Sequence, residues 1–201
     1  MPNLTPYAVS KLQKIEVLLL ACSAGGFNVL FNMLKVFPGG LPIAIVVIVH
    51  RNARYETNIE ESIMTKSHIT VKVAEEKEPI RRATAYFAPA GYHLLIEPDH
   101  TFSLDISEPV NFCRPSIDVT LQSAADVYGP AIAAALLSGA NQDGAQGMCA
   151  VQRAGGLCIV QDPREAAVKT MPEAAIGLGA ADLILTNEEL ITFSRQLDTY
   201  I

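Results

Sequence analysis

Three runs of this chain carry no polar side chain: Val17–Cys22, Ile43–Val49 and Ile132–Leu137. Unbroken rather than alternating hydrophobicity marks strands covered on both faces, which is the habit of parallel sheets flanked by helices. The runs are far too short to span a bilayer. A chemistry-bearing residue follows each one: Ser23 after the first, His50 after the second, and Asp143 a few residues beyond the third. In an open parallel sheet, ligands collect at the carboxyl ends of the strands. The expected fold is therefore α/β, a doubly wound, mostly parallel sheet flanked by helices, with an alcohol, an imidazole and a carboxylate delivered to one edge.

The remaining signals alternate between helix and strand. Gly25-Gly26 turns the chain into a helix over Phe27–Phe37, which Pro38-Gly39-Gly40 ends. Thr57–Lys66 reads as a weak helix, and Val71–Val73 and Ala85–Ala88 read as short strands. His93–Ile96 and Thr101–Leu104 flank Pro98-Asp99-His100 and predict an antiparallel β-hairpin that projects as a flap. A helix is expected from Pro115-Ser116 to Tyr128, and another over Gly144–Ala154, capped by Gly155-Gly156. Leu157–Val160 reads as a strand, Pro172–Gly177 as a short helix, Asp182–Leu185 as an edge strand and Glu188–Leu197 as a final helix. With 201 residues and no repeat or long linker, the chain is expected to form one domain spanning 1–201.

Composition narrows the function. Half the residues are hydrophobic and 18% are charged, which excludes a disordered chain. A net charge of −6 argues against a nucleic-acid partner, because such proteins are usually basic. The opening residues, MPNLTPYAVSKLQK, lack the apolar stretch of a signal peptide, so no membrane insertion and a cytoplasmic location are expected. Cys22, Cys113, Cys149 and Cys158 form no C-x-x-C pair and read as reduced, mostly buried thiols. No metal and no organic cofactor are expected.

Serine, histidine and aspartate are the parts of a nucleophile–base–orienter triad. Each also has a plainer reading at this stage. Ser23 and Asp143 stand where helix N-caps stand, and His50 where a strand-end surface residue stands. His68 and His100 are weaker candidates for the base, His93 is a candidate to line the site, and Asp118 and Asp162 are rival carboxylates. The chain order Ser, His, Asp and the lack of G-x-S-x-G set the chain apart from the α/β-hydrolases. The Gly25-Gly26 turn at a helix start is compatible with a phosphate. However, both G-x-G-x-x-G and G-x-x-x-x-G-K-[ST] are absent, which weighs against a nucleotide-binding domain.

Over nearly its whole length the chain resembles the catalytic domain of the chemotaxis protein-glutamate methylesterases. The resemblance rests on Ser23-Ala24-Gly25-Gly26, Val49-His50, Pro89-Ala90-Gly91-Tyr92-His93 and Arg114-Pro115-Ser116-Ile117-Asp118. It continues through Leu137-Ser138-Gly139, Asp143-Gly144-Ala145, Ala154-Gly155-Gly156, Gln161-Asp162-Pro163 and Met171-Pro172-Glu173-Ala174-Ala175. It implies hydrolysis of glutamate γ-methyl esters on methyl-accepting chemotaxis receptors, with deamidation of receptor glutamines in some members. It also implies Ser23, His50 and Asp143 as the triad, with the backbone N–H groups of Ala24 and Ala140 as the oxyanion hole. His93, Arg114 and Ser116 are expected to shape or bind at the cleft.

Two departures stand out. Ala24 replaces the usual threonine, and Gly139-Ala140-Asn141 replaces the usual G-M-G. Asn141 is then expected in the left-handed conformation that glycine takes at lower cost. These departures motivate an alternative, a catalytically weak or inactive signalling or binding module on the same fold. The residues before Val17 are too few for the receiver domain of typical members, so the expectation is a constitutive enzyme, control by a separate regulatory protein, or a chain that is a piece of a longer protein. Arg51, Arg54, Arg81, Arg82 and Arg114 fall in loops near strand ends, where they either steer acidic receptor helices or form ordinary solvated surface.

Overall fold

Strands without a polar interruption can be covered on both sides, and the large sheet they build here is wholly parallel. The structure, a computed structural model, describes residues 4–51 and 59–201. In chain order it contains α1 (Pro6–Leu12), β1 (Val17–Cys22), α2 (Phe27–Val36), β2 (Ala44–Val49), α3 (Ile59–Met64), β3 (Thr70–Val73) and β4 (Thr84–Phe87). There follow β5 (His93–Ile96), β6 (Phe102–Asp105), α4 (Ile117–Tyr128), β7 (Ile132–Leu136), α5 (Ala145–Arg153), β8 (Leu157–Gln161), α6 (Thr170–Gly177), β9 (Leu183–Leu185) and α7 (Asn187–Arg195). Seven strands pair in the order β3-β4-β2-β1-β7-β8-β9, and β5 and β6 form a separate antiparallel pair.

Alternation along the strands divides the interior into two layers. Leu18, Leu20 and Cys22 of β1, with Ile45, Val47 and Val49 of β2, pack with Met33 and Leu34 of α2 and Phe193 of α7. Val17, Leu19 and Ala21, with Ala44, Val46 and Ile48, pack on the other side with Leu121 of α4, Met148 of α5 and Met171 of α6. Each fully buried side chain of this size contributes about 1.5–3 kcal/mol. Replacing one of the central leucines of β1 by alanine therefore removes a large share of a domain's net stability.

The connections fix where the crevice lies. From β1 the chain moves to β2 on one side, and β7 enters later on the other. The carboxyl ends of β1, β2 and β7 thus meet at a topological switch point, the usual place for a ligand crevice in such sheets.

Most elements lie within one or two residues of their expected bounds. Thr57 and Asn58, the start of one expected helix, lie outside the described residues. Helix α1 was not expected, although Thr5-Pro6 is a helix-start signature: Thr5 Oγ1 accepts the Ala8 N–H at 3.2 Å, and Pro6 opens the helix. The β5–β6 hairpin is seated rather than projecting. Leu94, Ile96 and Phe102 are buried against the α4 side of the sheet, and Thr120 Oγ1 on α4 donates to Leu94 O at 2.8 Å. Among the described residues no helix is long and apolar enough to cross a membrane.

Candidate active site

Ser23 stands one residue past β1, and its N–H donates to Ser138 O at 2.9 Å, tying the ends of β1 and β7 together. It does not cap α2. The N-cap there is Gly26, without a side-chain cap bond. The glycines after Ser23 are steric necessities. A Cβ on Gly25, whose φ is +79°, would lie 2.5 Å from Ala167 Cβ, and one on Gly26 would lie 2.9 Å from Ser138 O. Ser138 Oγ knots this loop: it lies 2.7 Å from Ala24 O and 3.0 Å from Val168 O, and it accepts the Val168 N–H at 2.9 Å. A Cβ on Gly139 would lie 3.0 Å from Ser23 Cβ, so the segment leading to Ala140 runs directly beside Ser23. Ala24 and Ala140 are exposed, and neither N–H donates a hydrogen bond among the described residues.

His50 follows β2. Cys22 pairs with Val49 in the parallel register, and His50 N–H donates to Cys22 O at 3.2 Å, so the next residues, Ser23 and His50, fall on adjacent strand ends. Neighbouring strands run about 4.8 Å apart. Both residues continue the alternation that sends Ala21 and Ile48 to the α4 and α5 side. His50 Nε2 lies 2.7 Å from Asp143 Oδ2. On the other nitrogen, Nδ1, the partner is Cys113 Sγ at 3.4 Å. No hydrogen bond joins Ser23 to His50 among the described residues.

Asp143 is fully buried and does not cap the helix that follows it. That N-cap is Gly144, with φ of +102° and no side-chain cap bond. Its carboxylate instead reaches the start of α4. Oδ1 accepts from Ser116 Oγ at 2.7 Å, Asp118 N at 3.2 Å and Asn111 Nδ2 at 3.4 Å, and Oδ2 accepts from Ile117 N at 2.6 Å. Asp118 answers in the opposite sense, its Oδ1 accepting the Gly144 and Gly147 N–H groups at the start of α5, at 2.9 and 2.7 Å. Each aspartate thus satisfies orphan amides of the other's helix. Helices α4 and α5 pack closely enough that a Cβ on Gly147 would lie 2.6 Å from Leu121 Cβ.

Ser116 and His93, expected to shape or bind at the cleft, are both fully buried. His93 Nδ1 accepts the Ser116 N–H at 3.2 Å, and Nε2 donates to Glu108 O at 3.1 Å, so the ring holds the Ser116 segment in place. Ser116 Oγ in turn holds Asp143 and accepts the Val119 N–H as the N-cap of α4. Arg114 lies nearer the surface and donates from Nη1 to Ile106 O and Ser107 O at 2.7 and 2.8 Å.

The expected arginine cluster divides. Arg51 is engaged by Glu60 Oε1 at 2.5 Å and Ala88 O at 2.8 Å. Arg81 and Arg82 precede β4 and so lie at the amino edge of the sheet, where Arg82 neighbours Glu16 and Ala44 at the starts of β1 and β2. Arg54 lies outside the described residues. Only Arg51 and Arg114, of the described arginines named, border the cavity beside His50, a space of about 420 Å³ also lined by Phe112 and Cys113.

Sequence reasoning missed the Val110–Cys113 turn. Cys113 N–H donates to Val110 O at 2.9 Å, and the two central residues, Asn111 and Phe112, have φ of 50° and 64°. Two positive φ values in a row are the signature of a type I′ turn, which glycine and asparagine favour. Phe112 instead sits there with its ring wholly exposed at the cavity mouth. Asn141 was expected in this left-handed region but is not among the residues with positive φ. Its side chain ties the loop, Oδ1 accepting the Asp143 N–H at 3.2 Å and Nδ2 donating to Asn111 O at 3.3 Å and Cys113 Sγ at 3.1 Å. The only sequence signal for Cys113 was its place directly before Arg114-Pro115-Ser116.

These contacts set the proton affinities. Burial of the His50 ring opposes its charge, but the hydrogen bonds and charges of Asp143 and Cys113 outweigh it, and the pKa is raised to about 9. Burial also works against the Asp143 carboxylate, yet His50, Ser116 and the Ile117 N–H hold it below the usual range. Asp118 is pushed up, by burial first and by the neighbouring Asp143 charge. His50, Cys113 and Asp143 each offer an atom within 4.8 Å of the others, a spacing a metal ion would accept. However, both Asp143 oxygens are occupied by the donors above, and coordination would strip buried N–H groups of their acceptor, at about 1–3 kcal/mol each.

Comparison with known proteins places this site in context. Residues 18–193 match the family model described as CheB methylesterase. A Leptospira interrogans protein named "Putative protein-glutamate methylesterase/protein-glutamine glutaminase" is 41% identical over 183 residues, covering 91% of this chain and 95% of the relative. The protein-glutamate methylesterase/protein-glutamine glutaminase of Symbiobacterium thermophilum is 32% identical over 85% of this chain, but the match spans only 47% of that longer relative. The crystal structure of the Thermotoga maritima CheB methylesterase catalytic domain superposes with a TM-score of 0.86 at 29% identity, over 93% of this chain and 99% of that one. The wholly parallel main sheet, the seated hairpin and the histidine–aspartate pair at the strand ends are thus those of a chain that belongs to the CheB methylesterase family.

Proposed function

We propose that this protein hydrolyses glutamate γ-methyl esters on methyl-accepting chemotaxis receptors, acting in the cytoplasm through Ser23, His50 and Asp143. The observation that carries this reading is the 2.7 Å bond between His50 and a fully buried Asp143, on the strand end adjacent to Ser23. Asp143 fixes Nε2, which leaves Nδ1 as the nitrogen that exchanges the proton. His50 takes the Ser23 proton as Oγ attacks the ester carbonyl, then gives it to the departing methoxide. Water activated by the same nitrogen opens the acyl-enzyme and returns glutamate. The N–H groups of Ala24 and Ala140, which donate to nothing among the described residues, receive the developing oxyanion, one such donor being worth about 3–4 kcal/mol of barrier. His93 and Ser116 act as positioning residues for Asp143, and Arg114 shapes the cavity rim.

The names of the relatives extend the reading to amides. A receptor glutamine passes through the same acyl-enzyme with ammonia as the leaving group. Ser23→Ala tests the assignment: methanol release from methylated receptor is expected to vanish while the unfolding midpoint stays put. Unchanged turnover overturns it.

A further inference from the structure

The four cysteines are not equivalent. Burial seals Cys22 and Cys158 and pushes both thiols up to about 12. Cys149 is half-buried on α5, and no hydrogen bond reaches its sulfur among the described residues. Cys113 is half-buried and lines the cavity beside His50, which Arg51 and Arg114 also line. Its sulfur lies 3.4 Å from His50 Nδ1, and Asp143 holds the other ring nitrogen at 2.7 Å. Asn141 Nδ2 donates to the same sulfur at 3.1 Å, while Asn111 O, at 3.4 Å, is a second acceptor for the S–H.

A thiol, an imidazole and a buried carboxylate in one hydrogen-bonded row is an arrangement that produces a reactive sulfur. The 3.4 Å contact is a path along which a proton can pass between Sγ and Nδ1. When it rests on the ring, the sulfur is a thiolate faced by imidazolium and by the Asn141 N–H, in a cavity bordered by two arginines. The mechanism proposed above has no use for this thiol.

We propose that Cys113 is a modification site for hydroperoxides, and that its oxidation silences the esterase by engaging His50. The second half rests on the assignment of His50 as the base. The Cys113 thiolate attacks one oxygen of hydrogen peroxide, so an S–O bond forms and the O–O bond breaks. The leaving hydroxide takes the proton from His50, giving Cys113 sulfenic acid and water. Sulfur is oxidised by two electrons and the peroxide is reduced. The new S–OH lies against Nδ1, the nitrogen Ser23 needs. Two equivalents of a small thiol reverse the step, giving the Cys113 thiol, a disulfide of the small thiol and water.

The test uses hydrogen peroxide on the intact chain, with dimedone trapping and peptide mass spectrometry. Cys113 is expected to be tagged at least about tenfold faster than Cys149, and His50→Gln to bring it down to the Cys149 rate. Equal rates at the two cysteines, or a His50→Gln chain that folds and tags as fast as the parent, overturn the site. This readout does not depend on hydrolysis, so it stands or falls separately from Ser23. The silencing is read by fluorophosphonate labelling of Ser23 before and after peroxide. The parent chain is expected to lose labelling and regain it with dithiothreitol, and Cys113→Ser to keep whatever rate it starts with. Full labelling of a parent chain already tagged at Cys113 overturns the silencing.

Discussion

Asp143→Asn separates the two tasks of the buried carboxylate. In the parent, Oδ2 accepts from His50 Nε2 and Ile117 N, while Oδ1 accepts from Ser116 Oγ, Asp118 N and Asn111 Nδ2. Every neighbour is a donor, so an amide NH₂ has no good place. Turned toward His50, it forces the ring to accept at Nε2 and carry its proton on Nδ1, the tautomer that cannot act as base. It also leaves the Ile117 N–H facing another donor, at about 1–3 kcal/mol. Turned the other way, it opposes the Asp118 N–H and Asn111 Nδ2 with a similar loss, and His50 keeps its tautomer but loses the anion that stabilises imidazolium. Loss of the correct tautomer in a serine triad lowers turnover by about 10⁴, or about 5.4 kcal/mol of barrier. The expected outcome is therefore a fall in methanol release of about three to four orders of magnitude, with an unfolding free energy lower by only about 1–3 kcal/mol. Both are measurable on one preparation, by methanol release from methylated receptor and by urea unfolding. A folded Asp143→Asn chain with more than about a tenth of parental turnover would refute the reasoning, since no triad histidine tolerates the change so lightly.

Other expectations follow from the same contacts. With its pKa raised to about 9, His50 is mostly protonated at neutral pH, and the base is the neutral form. Thus log kcat/KM should climb with pH and level off near pH 9; Cys113→Ala, which removes two of the influences holding the proton on the ring, should move the bend to lower pH. A profile flat from pH 7 upward, or a bend that Cys113→Ala leaves in place, contradicts this. Phe112 occupies a left-handed position with its ring in solvent, so Phe112→Gly should raise the unfolding free energy by about 1 kcal/mol in a denaturant titration, and a loss would contradict the strain.

Much of this architecture was legible in the chain because its decisive signals are local. Apolar runs such as Val17–Cys22 and Ala44–Val49 are buried at every position, so they could be read without knowing their partners. Their register then brought Ser23 and His50 to adjacent strand ends. What the sequence withheld depends on contacts between distant segments. Ser23 and Asp143 both looked like caps for the helices that follow them, but Gly26 and Gly144 take those positions, and Asp143 caps a helix that begins before it in the chain. His93 is a buried strut because two loops close over it, which no local pattern announces. Arg81 and Arg82 do fall beside a strand end, but they precede β4 and so lie at the edge of the sheet opposite Ser23 and His50, a distinction that needs the strand directions. Cys113 meets His50 only once the Val110–Cys113 turn folds beneath the end of β2.

The account rests on a nucleophilic Ser23, and an active-site fluorophosphonate read out by peptide mass spectrometry tests that claim most directly. The predicted result is a single phosphonylated residue, Ser23, in the native chain, and none after denaturation or in His50→Gln. A tag on a different residue, or a folded chain that takes up no probe, would contradict it.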